Sequence, residues 1–191
     1  MRQLIAASVL VLALTGACRA KDPASNVGAL VEDLKGPDRE KSGRANLALI
    51  RVGEPAVPAL LELVGTGDPR LRHLALSTLW GMGERAKTAV PFLADVLSDP
   101  DPEIRNGAAM ALENMGPAAE AAVPALIEAL GDADNRVRQT AVKALGNIGP
   151  AARPAIPTMT LALRRGRWPE AEEALRKIKG QVEELPAPEP R

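Results

Sequence analysis

Apolar residues recur along most of this chain at helical spacing, and the stretches that carry them repeat. Ile104, Ala108, Ala111, Leu112 and Met115 fall three or four apart, on one face of a helix. Asp101-Pro102 precedes them, a capping side chain followed by a residue preorganised for the first helical turn. Gly116 follows them, and glycine suits a helix end. A shorter stripe comes next, Val123, Leu126, Ile127 and Leu130, with Pro124 near its start and Gly131-Asp132 closing it. The pattern predicts a long helix, a short connection and a short helix.

The same pair returns on either side. Asp68-Pro69, Leu71, Ala75, Leu79, Met82 and Gly83 lead to Val90, Leu93 and Leu97. Asp134, Val137, Ala141, Ala144, Leu145, Ile148 and Gly149 lead to Ile156, Met159 and Leu163. Pro58, Pro91, Pro124 and Pro157 are each 33 residues apart, and each opens a short stripe. The connection in the first unit, 53–58, lacks three residues present in 83–91. Val27, Leu30, Val31 and Leu34 predict an unaccompanied short helix within 27–38. Ala171, Ala174, Leu175 and Ile178 predict an unaccompanied long helix beginning near Pro169, with Glu172–Arg176 and Glu173–Lys177 pairs on its exposed face. A unit of this length cannot bury its apolar face alone and must stack on its neighbours. The expected fold is all-α: an α-solenoid of stacked antiparallel helix pairs over residues 25–180, with atypical helices capping both ends.

Asp-Pro-x-(Leu/Ile)-Arg at 68–72 and 101–105, Asp134-Asn-Arg-Val-Arg138, Ala-x-x-Ala-Leu-x-x-Ile-Gly at 141–149 and the Ala-Val-Pro starts resemble the HEAT-like repeats named after phycobilisome lyases. The resemblance covers about residues 25–180. It implies a curved slab whose short helices line the concave side, and a role as a docking surface. It also implies a ladder between neighbouring units, built from Asp68, Asp101 and Asp134 with Arg72, Arg105 and Arg138, each arginine four residues after its aspartate.

The first residues read as an address. Arg2 precedes an apolar run from Leu4 to Leu14, too short to span a bilayer comfortably and suited to a signal peptide. Thr15-Gly16-Ala17-Cys18 resembles a bacterial lipobox, although Thr15 stands where leucine is usual. By that resemblance 1–17 is a signal peptide, Cys18 is lipidated and 18–24 is a short linker. A plain secretory signal cut near Ala17 or Ala20 is the alternative. Arg19 in place of an aspartate favours the outer membrane facing the periplasm if the cell is Gram-negative. The segment 181–191 (QVEELPAPEPR) is expected to be a disordered Pro-rich tail.

Composition narrows the chemistry. Aromatics are 2% of the chain (Trp80, Phe92 and Trp168), so the core must be aliphatic. The 24 basic and 24 acidic residues are interspersed, which argues against a nucleic-acid partner. One cysteine excludes an intramolecular disulfide and a cysteine-based metal cluster. The single histidine, His73, has Asn106 and Gln139 as its counterparts, so its slot reads as polar surface. Deoxyhypusine hydroxylase, a HEAT-like enzyme, binds iron through His-Glu pairs, and His73 is followed by Leu74. Gly81-Met82-Gly83-Glu84-Arg85-Ala86 satisfies a dinucleotide fingerprint, but a helix precedes it and Gly83 recurs as Gly116 and Gly149, so it reads as a helix end. No catalytic residues, metal site or cofactor are expected.

Glu32, Glu62, Asp95 and Glu128 occupy one slot in successive short helices, off the apolar stripe. Stacking should bring them into an acidic line, with Ala59, Leu63, Phe92, Val96, Ala125 and Ala129 beside it. A line of acids is also how a solvated face stays soluble. In the binding reading Phe92 is the anchor, because aromatics dominate interface hot spots. Trp80, whose counterparts are Glu113 and Gly146, is expected either partly exposed, as a further contact residue, or packed under the loop after Gly83. The expected function is an exported, lipid-anchored scaffold in the cell envelope that binds an unidentified protein or peptide through Glu62, Phe92, Asp95, Glu128 and Trp80, without catalysis. The alternatives are a structural spacer with no specific partner, or a HEAT-like enzyme related to bilin lyases or deoxyhypusine hydroxylase.

Overall fold

The computed structural model describes residues 26–164, 168 and 170–180. The expected signal peptide, lipidation site, linker and Pro-rich tail lie outside these residues. The described chain forms ten α-helices: α1 (Val27–Lys35), α2 (Arg39–Val52), α3 (Val57–Val64), α4 (Pro69–Met82), α5 (Val90–Val96), α6 (Pro102–Met115), α7 (Val123–Ala129), α8 (Asn135–Ile148), α9 (Ile156–Arg164) and α10 (Ala171–Lys179). Even-numbered helices make the long layer and odd-numbered helices the short one. The array opens on the lone short helix α1 and closes on the lone long helix α10, which carries the Glu172–Arg176 pair and the Glu173–Lys177 pair at 3.1 Å.

Each long helix from α2 to α8 starts on an aspartate. Asp38, Asp68, Asp101 and Asp134 accept from backbone N–H groups of their own first turns, for instance Asp101 Oδ1 from Glu103 N at 2.9 Å. These helices end at Gly53, Gly83, Gly116 and Gly149, whose φ of 55° to 77° favours glycine. The chain then runs through a 3-10 turn, three residues long at Glu54–Ala56 and seven residues long at Gly83–Ala89, Gly116–Ala122 and Gly149–Ala155. Counted from the terminal glycine in each case, the first turn is the shorter by the three residues missing from the first connection. The later turns bury Ala86, Ala89, Ala119, Ala122, Ala152 and Ala155, and stack on one another from unit to unit.

The core is a continuous aliphatic seam between the layers. Leu60, Leu93, Leu126 and Met159 hold one slot on successive short helices, and all are fully buried. Each such side chain contributes about 1.5–3 kcal/mol relative to exposure. Long helices approach closely where side chains are absent. A Cβ on Gly107 would meet Leu76 Cδ1 at 3.0 Å, and one on Gly146 would meet Ala174 Cβ at 2.9 Å and Cα at 3.0 Å.

The ladder between units uses different acids from those expected. Asp68, Asp101 and Asp134 are occupied as caps. Arg72 instead pairs with Asp99, and Arg105 with Asp132, with Nε–Oδ2 at 2.7 Å and Nη2–Oδ1 at 2.8 Å in the second pair. Both acids lie just beyond the next short helix, 27 residues after their arginines. Arg72 Nε also donates to Val64 O at 2.8 Å, and Arg105 Nη1 to Asp99 O at 2.8 Å, so each guanidinium ties off a chain turn as well as an acid. Arg138 donates to Asp132 O at 2.6 Å, Ala133 O at 2.9 Å and Asn135 Oδ1 at 3.0 Å. The hydrogen bonds from Arg72 and Arg105 hold the Asp99 and Asp132 carboxyls below the usual carboxylate range. A second ladder joins the helix ends: Asn114 Nδ2 donates to Trp80 O at 2.7 Å, and Asn147 Nδ2 to Glu113 O at 3.4 Å. Each of these last-turn carbonyls also accepts from the backbone N–H of its terminal glycine, Gly83 or Gly116, so the asparagine adds a second bond from the next unit.

Candidate functional site

The short-helix layer presents Glu62 on α3, Asp95 on α5 and Glu128 on α7, all exposed and in equivalent positions. Among the described residues none of the three forms an ion pair, whereas Glu32, in the same slot of α1, is bound by Lys35 at 2.8 Å. Phe92, on the same helix as Asp95, is half-buried and packs on the core, with its remaining surface facing out. Ala59 and Ala125 are half-buried too. Leu63, Val96 and Ala129, expected at the edge of this surface, are buried instead. Each lies in the last turn of its short helix, where that helix packs against the following long one. The layer is therefore a row of three carboxylates without ion pairs among the described residues, which ends on α9 at Leu161, 50% exposed in the same slot.

Trp80 does not belong to this surface. It lies on α4 in the long layer, 46% exposed, so it is not packed under the loop after Gly83. Long-layer exposure of this kind is more widespread than the apolar periodicity predicts. Leu47 on α2 is 58% exposed and Met110 on α6 is 39% exposed. Both share a slot with half-buried Ser77 on α4, at offsets of 30 and 33 residues. Aligning the long helices from their capping aspartates finds this row; aligning the prolines does not, because the first unit is three residues short. Glu113, in Trp80's slot on α6, is partly buried, and desolvation pushes its carboxyl up against the opposing effect of Lys143 and Lys177.

A cavity of about 630 Å³ opens across the first halves of α2, α4 and α6. Arg39, Gly43 and Asn46 line it from α2, and Arg70 and His73 from α4. His73 is exposed, in keeping with a polar surface slot. Asn46 is the residue no motif singled out: its Oδ1 is buried and has no hydrogen-bond partner among the described residues. No group of three or more metal-ligating side chains occurs among the described residues, and no described helix is long and apolar enough to cross a membrane.

The family described as HEAT repeats matches residues 27–113 and again 90–178. Among solved structures, the complex of CpcE and CpcF of phycocyanin lyase from Nostoc sp. PCC7120 is similar over 82% of this chain and 99% of that one, with a TM-score of 0.65 and 20% identity. A designed armadillo repeat protein in complex with the peptide (KR)4 matches 80% of this chain and 81% of its own, with a TM-score of 0.57 and 18% identity. Computationally designed armadillo repeat proteins for modular peptide recognition match 79% of this chain and 81% of theirs, with a TM-score of 0.55 and 19% identity. At these identities the likeness is one of fold. No curated protein sequence matches the chain.

Proposed function

Because the chain belongs to the HEAT-repeat proteins, we propose that it is a binding scaffold, anchored in the cell envelope by a lipid on Cys18, whose short-helix layer holds a basic peptide segment of a partner protein. The observation that carries this reading is the row Glu62, Asp95 and Glu128, exposed, without ion pairs among the described residues and one to a repeat. A carboxylate repeated at fixed spacing recognises a cation repeated at matching spacing. Packed helices lie about 8–10 Å apart, and an extended chain advances about 3.3 Å per residue. The fitting partner therefore carries Lys or Arg at about every third position. Phe92 supplies an apolar contact midway along the row. The designed armadillo protein bound to (KR)4 supports the chemistry by analogy: a solenoid of this kind holding a basic peptide.

The test is an in-cell crosslinking pull-down comparing wild type with a Phe92→Ala, Asp95→Lys, Glu128→Lys variant shown to remain helical. A partner with basic residues at that spacing is expected with wild type and lost with the variant. Equal capture by both refutes the short-layer site, and no capture by either leaves the spacer reading. In the same cells Cys18→Ser should move the protein out of the membrane fraction; if it stays there, the anchor is not this lipid. A second reading, an enzyme related to bilin lyases, draws on the likeness to the CpcE and CpcF complex. A chromophore absorbance band in the purified protein would favour it.

A further inference from the structure

Three of the four large apolar side chains exposed among the described residues lie on the long layer: Leu47, Trp80 and Met110. Leu47 and Met110 stand two residues before the buried Leu49 and Leu112, about half a turn around the helix from the core. Trp80 stands one turn beyond Ser77, which shares their slot on α4. The outer side of α2, α4 and α6 thus opens one large apolar group per helix to solvent.

The same layer is the cationic side of the molecule. Acids within the long helices are tied up: Glu40 by Arg44 at 3.4 Å, Glu103 by Arg136 at 2.8 Å, and Glu172 and Glu173 by Arg176 and Lys177 on α10. Glu113, the remaining one, is partly buried, and desolvation holds its carboxyl up against Lys143 and Lys177. Arg51, one turn from Leu47, and Lys143, in the Leu47 slot on α8, are exposed and form no ion pair among the described residues. The short layer is the reverse: α3, α5 and α7 carry Glu62, Asp95 and Glu128 and no cation.

We propose that the long layer lies against the headgroups of an anionic lipid bilayer, with Leu47, Trp80 and Met110 in the interface and Arg51 and Lys143 among the lipid phosphates. Apolar side chains mixed with cations, a tryptophan among them, suit the boundary between water and lipid. The two layers act together on orientation. The bilayer attracts the cations of the long layer and repels Glu62, Asp95 and Glu128, so the short layer faces away and stays open to a partner. One further argument rests on the Cys18 anchor. Segment 18–25 is at most about 29 Å long when extended, so a lipid on Cys18 holds the start of α1 within that distance of the bilayer. Such a tether lets the array swing, and contact through the long layer fixes which side meets the lipid.

The chain from residue 18 onward with Cys18→Ser keeps the whole array and lacks both the apolar leader and the lipid. Its sedimentation with vesicles of phosphatidylglycerol and phosphatidylcholine in equal parts tests the inference, with pure phosphatidylcholine vesicles as control. Binding to the anionic vesicles should be at least tenfold stronger. Tryptophan emission should shift to the blue on binding, because Trp80 is the exposed tryptophan and Trp168 the buried one. Leu47→Ser, Trp80→Ser and Met110→Ser together, and separately Arg51→Glu with Lys143→Glu, should each weaken binding at least tenfold in proteins that remain helical. A triple Glu62→Gln, Asp95→Asn, Glu128→Gln variant should bind at least as well as wild type. That variant separates the inference from the basic-peptide site, and the missing lipid separates it from the Cys18 anchor. Absence of binding, equal binding to both vesicles, unchanged emission, wild-type binding by either altered surface, or loss in the triple variant overturns the proposal. So does a dimer in the vesicle-free sample that Trp80→Ser dissociates, which would give this face to a second copy of the chain.

Discussion

Asp101 and Asp132 are both hydrogen-bonded carboxylates, yet they hold different things. Asp101 accepts one backbone N–H at the start of α6, a local bond whose loss costs about 1 kcal/mol. Asp132 takes two bonds from the Arg105 guanidinium and has 8% of its side chain exposed, so removing it leaves a charge in a poorly hydrated place. Asp132→Ala should therefore cost about 2–3 kcal/mol, clearly more than Asp101→Ala. The pH dependence follows from the direction of the shift. The folded carboxyl titrates below its unfolded value near about 3.9, so its stabilisation is complete above that pH. It fades as pH falls through the lower folded value. Urea denaturation at pH 7 and at pH 3 checks this: the deficit of Asp132→Ala should be smaller at pH 3, and an unchanged deficit would assign it to packing instead.

Helix elements here are set by their ends and spaced by their smallest residues. The capping aspartate and terminal glycine fix a long helix of 14 residues in each unit from α2 to α8, whatever lies between. Glycine inside these helices has opposite consequences at two positions. At Gly146 an added methyl would press on the backbone of α10, so Gly146→Ala should cost about 1–3 kcal/mol despite alanine's better helix propensity. At Gly43 there is open space, and Gly43→Ala should stabilise by about 0.5–1 kcal/mol. Thermal melts of the two variants should move in opposite directions; a shared direction would show that propensity, not close approach, governs both.

In the whole molecule, contacts run from each unit to its neighbours, so stability is close to a sum of local terms and interfaces. Leu126 sits fully buried on α7, between units well away from the first junction. Leu126→Ala should cost about 2–5 kcal/mol. Hydrogen exchange should show the loss in α6 to α8 and leave the amides of α1 and α2 nearly as protected as before. Uniform loss along the array would mean that the solenoid opens as one unit. The same modularity lets the first junction depart from the pattern, with Asn46 and Gly43, without disturbing the later ones.

The helix order, the two capping helices, the 33-residue period and the shortened first connection were all legible in the sequence, because each rests on local chemistry. A capping aspartate, a terminal glycine and an apolar stripe act within a turn or two of chain. The ladder was legible only in part. Period picked out Arg72, Arg105 and Arg138, but the partners of the first two, Asp99 and Asp132, are 27 residues away, and only folding shows that these acids, not the capping aspartates, meet the arginines. Exposure was harder still. Leu63, Val96 and Ala129 are buried and Leu47 and Met110 exposed because the crossing of neighbouring helices decides which part of an apolar stripe is covered. Asn46 is an ordinary polar residue until its slot is known to be the one that Leu76, Ala109 and Val142 bury, and burial of a slot is a property of the packed neighbour, not of the residue that occupies it.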